Sequence, residues 1–282
     1  MKKNGAKAIV QIHHGGAQAL PELTPDGDVV APSAISLKSF GQQEEHDARE
    51  MTAEEIEQTI RDFGEATRRA IEAGFDGVEI HGANHYLIHQ FVSPYYNRRN
   101  DVWADNYKFP VAVIDEVVKA KKAHANDDFI IGYRLSPEEA ESPGISMEIT
   151  EELIHQIANK PLDYIHVSLM DVNSVTREGK YKGENRLELI HQWINGRMPL
   201  IGIGSVFTAE DALNAVENIG VEFVALGREI LLDYDFVAKI KEGREDEIIN
   251  AFDPNREDQH YLTPNLWEQF NQGFYPLPRK DK

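Results

Sequence analysis

Three polar side chains in one short stretch, His81, Asn84 and Tyr86 of His81-Gly-Ala-Asn84-His-Tyr86, could do chemistry together. They follow the run Gly77-Val-Glu-Ile, so the pattern predicts a short strand that ends at His81. In a barrel of parallel strands, the carboxyl end of a strand faces the active site. An imidazole and an amide there aim donors at one oxygen, and a phenol close by is a proton source. Such a set polarises a carbonyl while a neighbouring carbon is reduced. The plainer alternative is that His81 caps a strand and Asn84 caps the helix after it.

Other strand ends carry further candidates. Gln11, in Ile9-Val-Gln11-Ile-His-His14, is costly inside a barrel strand unless it is hydrogen-bonded. Its amide offers a donor and an acceptor, which suits a heterocycle edge, although neighbouring backbone would serve as well. Arg134 ends Ile130-Ile-Gly-Tyr-Arg134 and cannot shed its charge. It needs an anion, an electron-rich group or a nearby carboxylate. Gly202-Ile-Gly204-Ser205 and Gly227-Arg228 end the last two predicted strands, the usual phosphate-binding position of a barrel. Glycines there also serve tight turns. His81, His85 and His89 recur every four residues, with His13 and His14 nearby. No carboxylate joins them at a recognised ligand spacing, so no metal is expected.

The elements that must position these residues alternate. Strands are predicted at Ala8–His13, Gly77–His81, Phe129–Leu135, Tyr164–Ser168, Pro199–Gly204 and Phe223–Gly227. Amphipathic helices are predicted at Thr52–Ala73, Tyr107–Ala125, Thr150–Asn159, Arg186–Asn195 and Thr208–Asn218. Thr52 with Glu55 forms a capping-box pattern, and Thr208 opens an acidic first turn. This alternation is the signature of an α/β barrel of parallel βα units. Gly15–Met51 and Tyr86–Asn106 interrupt it, each too long for an ordinary βα loop, and read as lids, active-site walls or structural caps. Residues 1–282 are read as one domain with a C-terminal extension from about 254 to 282. The aromatics Trp267, Phe270, Phe274 and Tyr275 in that extension are expected to pack on the barrel or on a second copy.

Composition narrows the partners. With 29 Lys+Arg against 48 Asp+Glu, the chain carries a formal charge of −19, which argues against nucleic acid and anionic membranes. There is no cysteine, so disulfides, iron–sulfur clusters and thiolate zinc sites are excluded. No apolar run is long enough to span a bilayer, and no signal-peptide core follows the N-terminus, so a cytoplasmic protein is expected.

Taken in order, these pieces resemble the old yellow enzyme family of FMN-dependent NAD(P)H oxidoreductases. The resemblance rests on Gln11–Gly16, His81-x-x-Asn84-x-Tyr86, Gln90-Phe-x-Ser93-Pro94-x-x-Asn97-x-Arg99-x-Asp101, Arg134, Gly202-x-Gly204 and Leu226-Gly-Arg228-Glu. It implies an FMN-bearing TIM-type barrel in which NADH or NADPH reduces the flavin and an α,β-unsaturated carbonyl compound then takes up the hydride. By resemblance His81 and Asn84 hold the carbonyl oxygen and Tyr86 protonates the α carbon. Gln11 and Arg134 meet the flavin ring, and Gly204, Ser205, Gly227 and Arg228 meet its phosphate.

The chain also departs from the family pattern. The family places two more strands before the segment at Ala8, so about six of eight βα units are visible here. The expected Arg after the Gln11 strand is replaced in His14-Gly15-Gly16-Ala17, and the stretch after Asp101 reads Trp103-Ala-Asp-Asn106. Two alternatives to an ene-reductase type enzyme therefore stand beside it: a truncated, inactive remnant, and a metal-dependent barrel hydrolase built on the histidine face. A small enone-like substrate and self-association are the expected partners.

Overall fold

A computed structural model describes residues 2–260, 262–273 and 276–280. They fall into two compact units, Met1–Ser168 with Val175–Leu200, and Leu169–Ser174 with Ile201–Lys282. Unit 1 runs through β1 (Ile9–Ile12), β2 (Val30–Ala31), β3 (Ile35–Leu37), β4 (His46–Glu50), α1 (Ala53–Glu72) and β5 (Gly77–Gly82). It continues with α2 (Leu87–Val92), α3 (Lys108–His124), β6 (Ile130–Leu135), α4 (Met147–Ile157), β7 (Tyr164–Val167) and α5 (Arg186–Ile194). Unit 2 carries β8 (Leu200–Ile203, from its second residue), α6 (Ala209–Asn214), β9 (Phe223–Ala225), α7 (Arg228–Leu232), α8 (Phe236–Lys241) and α9 (Pro264–Asn271).

In unit 1 β1, β5, β6 and β7 lie side by side, all parallel. Their register puts Gln11 opposite Glu79 and Glu79 opposite Gly132. One pleat on, His81 stands opposite Arg134 and Arg134 opposite His166. Polar residues predicted singly therefore fall into two layers at one end of the sheet. In unit 2 β8 and β9 pair in parallel. Six parallel strands of βα type are thus present among the described residues at the predicted places, β5 one residue longer than predicted and the other five shorter by one or two.

Helix α1 forms because its N-terminus is satisfied locally. Thr52 Oγ1 accepts from Glu55 N–H at 3.2 Å, and the Glu55 carboxylate accepts from Thr52 N–H at 2.8 Å, the reciprocal cap read from the sequence. Its buried face, with Ile56 and Phe63, packs on α3. Gly64 permits the close approach, since a Cβ there would stand 2.8 Å from Glu116 Cγ. Helix α4 starts at Met147 rather than Thr150, because Thr150 is wholly buried and its hydroxyl donates to Pro137 O instead of capping. The last predicted helix stops at Asn214, and one π turn, Ala215–Ile219, closes it on Gly220 at φ 89°.

The Gly15–Met51 excursion is not a bare loop. It folds β2, β4 and β3 into a small sheet over an apolar cluster of Ala17, Val29, Ala31 and Ala48. The second excursion holds it: the guanidinium of Arg99 donates to Pro32 O at 2.8 Å and Met51 O at 2.7 Å while paired with Asp101. In unit 2 Trp267 and Phe270 pack with Leu232 and Phe252, as expected for the C-terminal aromatics. Phe274 and Tyr275 lie outside the described residues.

Candidate functional site

His81 is held at the end of β5, 3% exposed, with Nδ1 buried and lacking a hydrogen-bond partner. Burial, and then the nearby Arg134 charge, push its pKa down to about 4, so the ring is neutral at pH 7. Its centroid lies 5.2 Å from that of Tyr86 and 5.8 Å from that of His13, which is itself 5.0 Å from Tyr86. Three rings therefore enclose one space. His13 was read from the sequence only as a further imidazole near the histidine face, though its place just beyond β1 was a usable signal for this site.

Asn84 sits in the left-handed region at φ 58°, followed by His85 at φ 59°. That turn swings Asn84 back beside the strand ends. Its Oδ1 accepts from Ser168 Oγ at 2.9 Å and Ser136 Oγ at 3.3 Å, and its backbone N–H donates to Ser136 Oγ at 3.0 Å. With the amide oxygen occupied, Nδ2 is the group Asn84 can offer to a ligand. The turn is braced from behind. Gln90 donates to His85 O and accepts from Ala17 N–H, and Leu87 N–H donates to His14 O. Phe40, from the first excursion, brings its ring within 6.4 Å of Tyr86, so the excursion supplies an apolar wall.

Arg134 donates to Ser168 Oγ at 3.0 Å, while its Nε is buried with no partner. Burial lowers its pKa, and Glu79 opposes that effect. No ion pair to it is formed among the described residues, so the carboxylate-partner alternative is not what the structure shows. Gln11 is exposed, and its Nε2 donates to Glu79 Oε1 at 2.5 Å. Glu79 also accepts from Tyr164 Oη and meets His166 Nδ1, each at 3.0 Å. Burial works to raise the Glu79 pKa, but these bonds and the His166 charge hold it below the usual carboxylate value. The arrangement needs Gly132, because a Cβ there would lie 2.1 Å from the Tyr164 ring. Glu79, Ser136 and Ser168 were missed in the sequence. An acid inside an apolar strand was the available signal for the first.

The phosphate candidates lie in unit 2. Gly204, at φ 127°, lets Met170 and Asp171 approach, since a Cβ would stand 2.5 Å from Asp171 N. Gly204 thus serves a close backbone contact. Ser205 Oγ donates to Met170 O at 2.8 Å and accepts from Arg228 Nη2 at 3.2 Å. Arg228 also donates to Met170 O and Pro276 O and lies over the Phe207 ring. It meets carbonyls and a hydroxyl, and no carboxylate among the described residues, which fits a site for an anion. Gly227 leaves open space, as the nearest atom to a Cβ there is 3.9 Å away. Taken unit by unit, the groups suit parts of FMN in chemistry: unit 1 offers a half-buried guanidinium whose Nε has no partner and an amide edge, and unit 2 offers a half-buried guanidinium with a hydroxyl.

The histidine face changes membership. His81 belongs to β5 and stands apart, whereas His85 and His89 are joined by Glu139, with His89 Nε2 2.7 Å from Glu139 Oε2.

The parallel βα order, with polar layers at the strand ends, is that of an α/β barrel enzyme. The sequence model of the NADH:flavin oxidoreductase / NADH oxidase family matches residues 1–247, and the chain belongs to that family. Its cofactor is FMN and its reductant NADH or NADPH. The probable NADH-dependent flavin oxidoreductase YqiG of Bacillus subtilis (strain 168) is 48% identical over 98% of this chain and 74% of its own length. An NADH:fumarate oxidoreductase of Klebsiella pneumoniae (strain 342) is 39% identical, over 95% of this chain but 29% of its own length. Histamine dehydrogenase from Rhizobium sp. 4-9 shares the fold with a TM-score of 0.72 and 24% identity, covering 88% of this chain and 36% of that one. The fold is the TIM-type α/β barrel class. No helix among the described residues is long and apolar enough to cross a membrane.

Proposed function

We propose that the chain acts as an ene-reductase: an NAD(P)H-dependent flavoenzyme that reduces the double bond of an α,β-unsaturated carbonyl compound. The observation that carries this reading is a neutral His81 whose ring stands 5.2 Å from that of Tyr86, with Asn84, its amide oxygen already occupied, on the turn between them. A neutral imidazole and an amide N–H2 both donate to one carbonyl oxygen without placing a full positive charge beside it. Electron density withdrawn toward that oxygen leaves the β carbon electrophilic. FMN, when bound, supplies the hydride that it receives from NADH or NADPH. Tyr86 then gives its proton to the α carbon, and the enclosing rings of His13 and Phe40 keep the substrate flat against its partner. Gln11 would meet the flavin pyrimidine edge with its carbonyl oxygen, since Glu79 already holds its NH2. Arg134 would face the negative charge of the reduced ring. Ser205 and Arg228 would hold the phosphate, with room for it at Gly227 and with Gly204 shaping the backbone. Fumarate, the substrate named for the Klebsiella relative, contains the same activated double bond.

Phenols bind as carbonyl mimics, so their titration into the FMN-loaded protein reports the oxygen-binding pair directly. Asn84→Ala should weaken p-hydroxybenzaldehyde binding by at least tenfold, on the order of one to two lost charge-assisted bonds, with FMN retained. Unchanged phenol binding with FMN retained would contradict the role assigned to Asn84.

A further inference from the structure

We infer that His85, His89 and Glu139 form a binding site for a divalent transition-metal ion of the zinc, cobalt and nickel group, separate from the flavin chemistry and independent of the function proposed above. A ligand atom from each lies within 4.8 Å of the other two. His85 Nδ1 is 3.7 Å from Glu139 Oε2 and makes no hydrogen bond. That separation is too long for a hydrogen bond and close to the ~3.3 Å between neighbouring ligands of a tetrahedral ion with ~2.0–2.1 Å bonds. His89 Nε2 meets the same oxygen at 2.7 Å, so admitting an ion means exchanging that one proton for the metal.

Glu139 is prepared for such a role. Its Oε1 accepts from Ser93 Oγ and from Ile145 N–H, at 2.8 Å for the latter, which leaves Oε2 turned toward both imidazoles. Bonds of this kind from outside the ligand set fix a carboxylate ligand. The side chain of His89 is fully buried, and Nδ1 of both rings has no hydrogen-bond partner. A buried polar side chain in that state calls for an explanation. Glu141, whose Oε2 is likewise buried and unpartnered, lines a cavity of about 150 Å³ together with Glu138, Glu139 and Glu178. Two imidazoles with one carboxylate suit borderline divalent ions better than magnesium or calcium, which prefer all-oxygen ligands.

The ion would tie three pieces of chain together. His85 belongs to the left-handed turn that carries Asn84, His89 lies on α2, and Glu139 follows β6. The bound metal is therefore a clip that fixes the Asn84–Tyr86 turn.

The test is titration of ZnCl2 alone into the chelator-treated full-length chain by calorimetry, with Co2+ absorption as a second readout. One ion per chain is expected, with visible d–d bands of low-symmetry Co2+, a rise in thermal midpoint, and at least tenfold weaker binding in His85→Ala. His85 is only partly buried, so that variant keeps the fold even where Glu139→Gln does not. The double variant His124→Ala/His155→Ala, at exposed histidines, should bind as the parent does. No binding, or binding that survives His85→Ala, or binding lost in the exposed-histidine variant, would each overturn the inference.

Discussion

At the residue scale, the same polar atom means different things according to what already occupies it. Asn84 becomes a donor because Ser136 and Ser168 take its oxygen, and Gln11 becomes an acceptor because Glu79 takes its NH2. The sequence shows these side chains but not their occupied faces, which depend on partners more than 50 residues away. His85, His89 and Glu139 make the point most plainly: the histidine spacing was legible, while the carboxylate stands 50 residues beyond His89 and arrives only through the fold. One residue outside any proposed site has a measurable signature. Glu229 is buried without a hydrogen-bond partner, and burial followed by the Asp233 charge pushes its pKa up to about 8. The folded chain then holds a proton that the unfolded chain releases above its ordinary carboxylate pKa. Stability should fall as pH rises from about 5 to 8, by at most ~1.4 kcal/mol per pH unit for this one group. Urea midpoints of Glu229→Gln across that range should show a flatter profile than the parent, and parallel profiles would contradict the assignment.

At the scale of elements, local signals carried the regular parts. The capping box at Thr52, the acidic first turn at Thr208 and the alternation of apolar runs marked helix starts and strand positions to within a few residues, and the structure adds a capping box at Thr208 with Asp211. Strands β2, β3 and β4 were not legible, because two to five residues with mixed polarity leave too little periodicity to distinguish a strand from a loop. Their stability comes from outside, through Arg99. Its side chain is 5% exposed and satisfies two backbone carbonyls of the first excursion. Removing it leaves both carbonyls without their donor, so Arg99→Ala should cost about 2–4 kcal/mol, read as a lower urea midpoint. A loss below ~0.5 kcal/mol would show that the small sheet holds itself. The conspicuous Asn97-x-Arg99-x-Asp101 motif thus acts as a brace behind the site.

At the scale of the whole molecule, charge and chemistry pull in opposite directions. A chain of net charge −19 repels FMN, NADH and a carboxylated substrate at long range. Their binding must therefore rest on local cations, and Arg134 and Arg228 are the two guanidiniums at strand ends that meet no carboxylate among the described residues. The family resemblance was readable from the order of motifs, most of which lie at strand ends, while the Gln90–Asp101 motif lies on α2 and the segment after it. The most direct measurement is anaerobic stopped-flow absorbance on the FMN-loaded chain, mixed with NADH and then with an excess of 2-cyclohexenone or fumarate. The account predicts that NADH bleaches the flavin band and that an activated alkene restores it, with the second step slowed at least tenfold in Tyr86→Phe. A band that NADH bleaches but no activated alkene restores would contradict the proposed reaction.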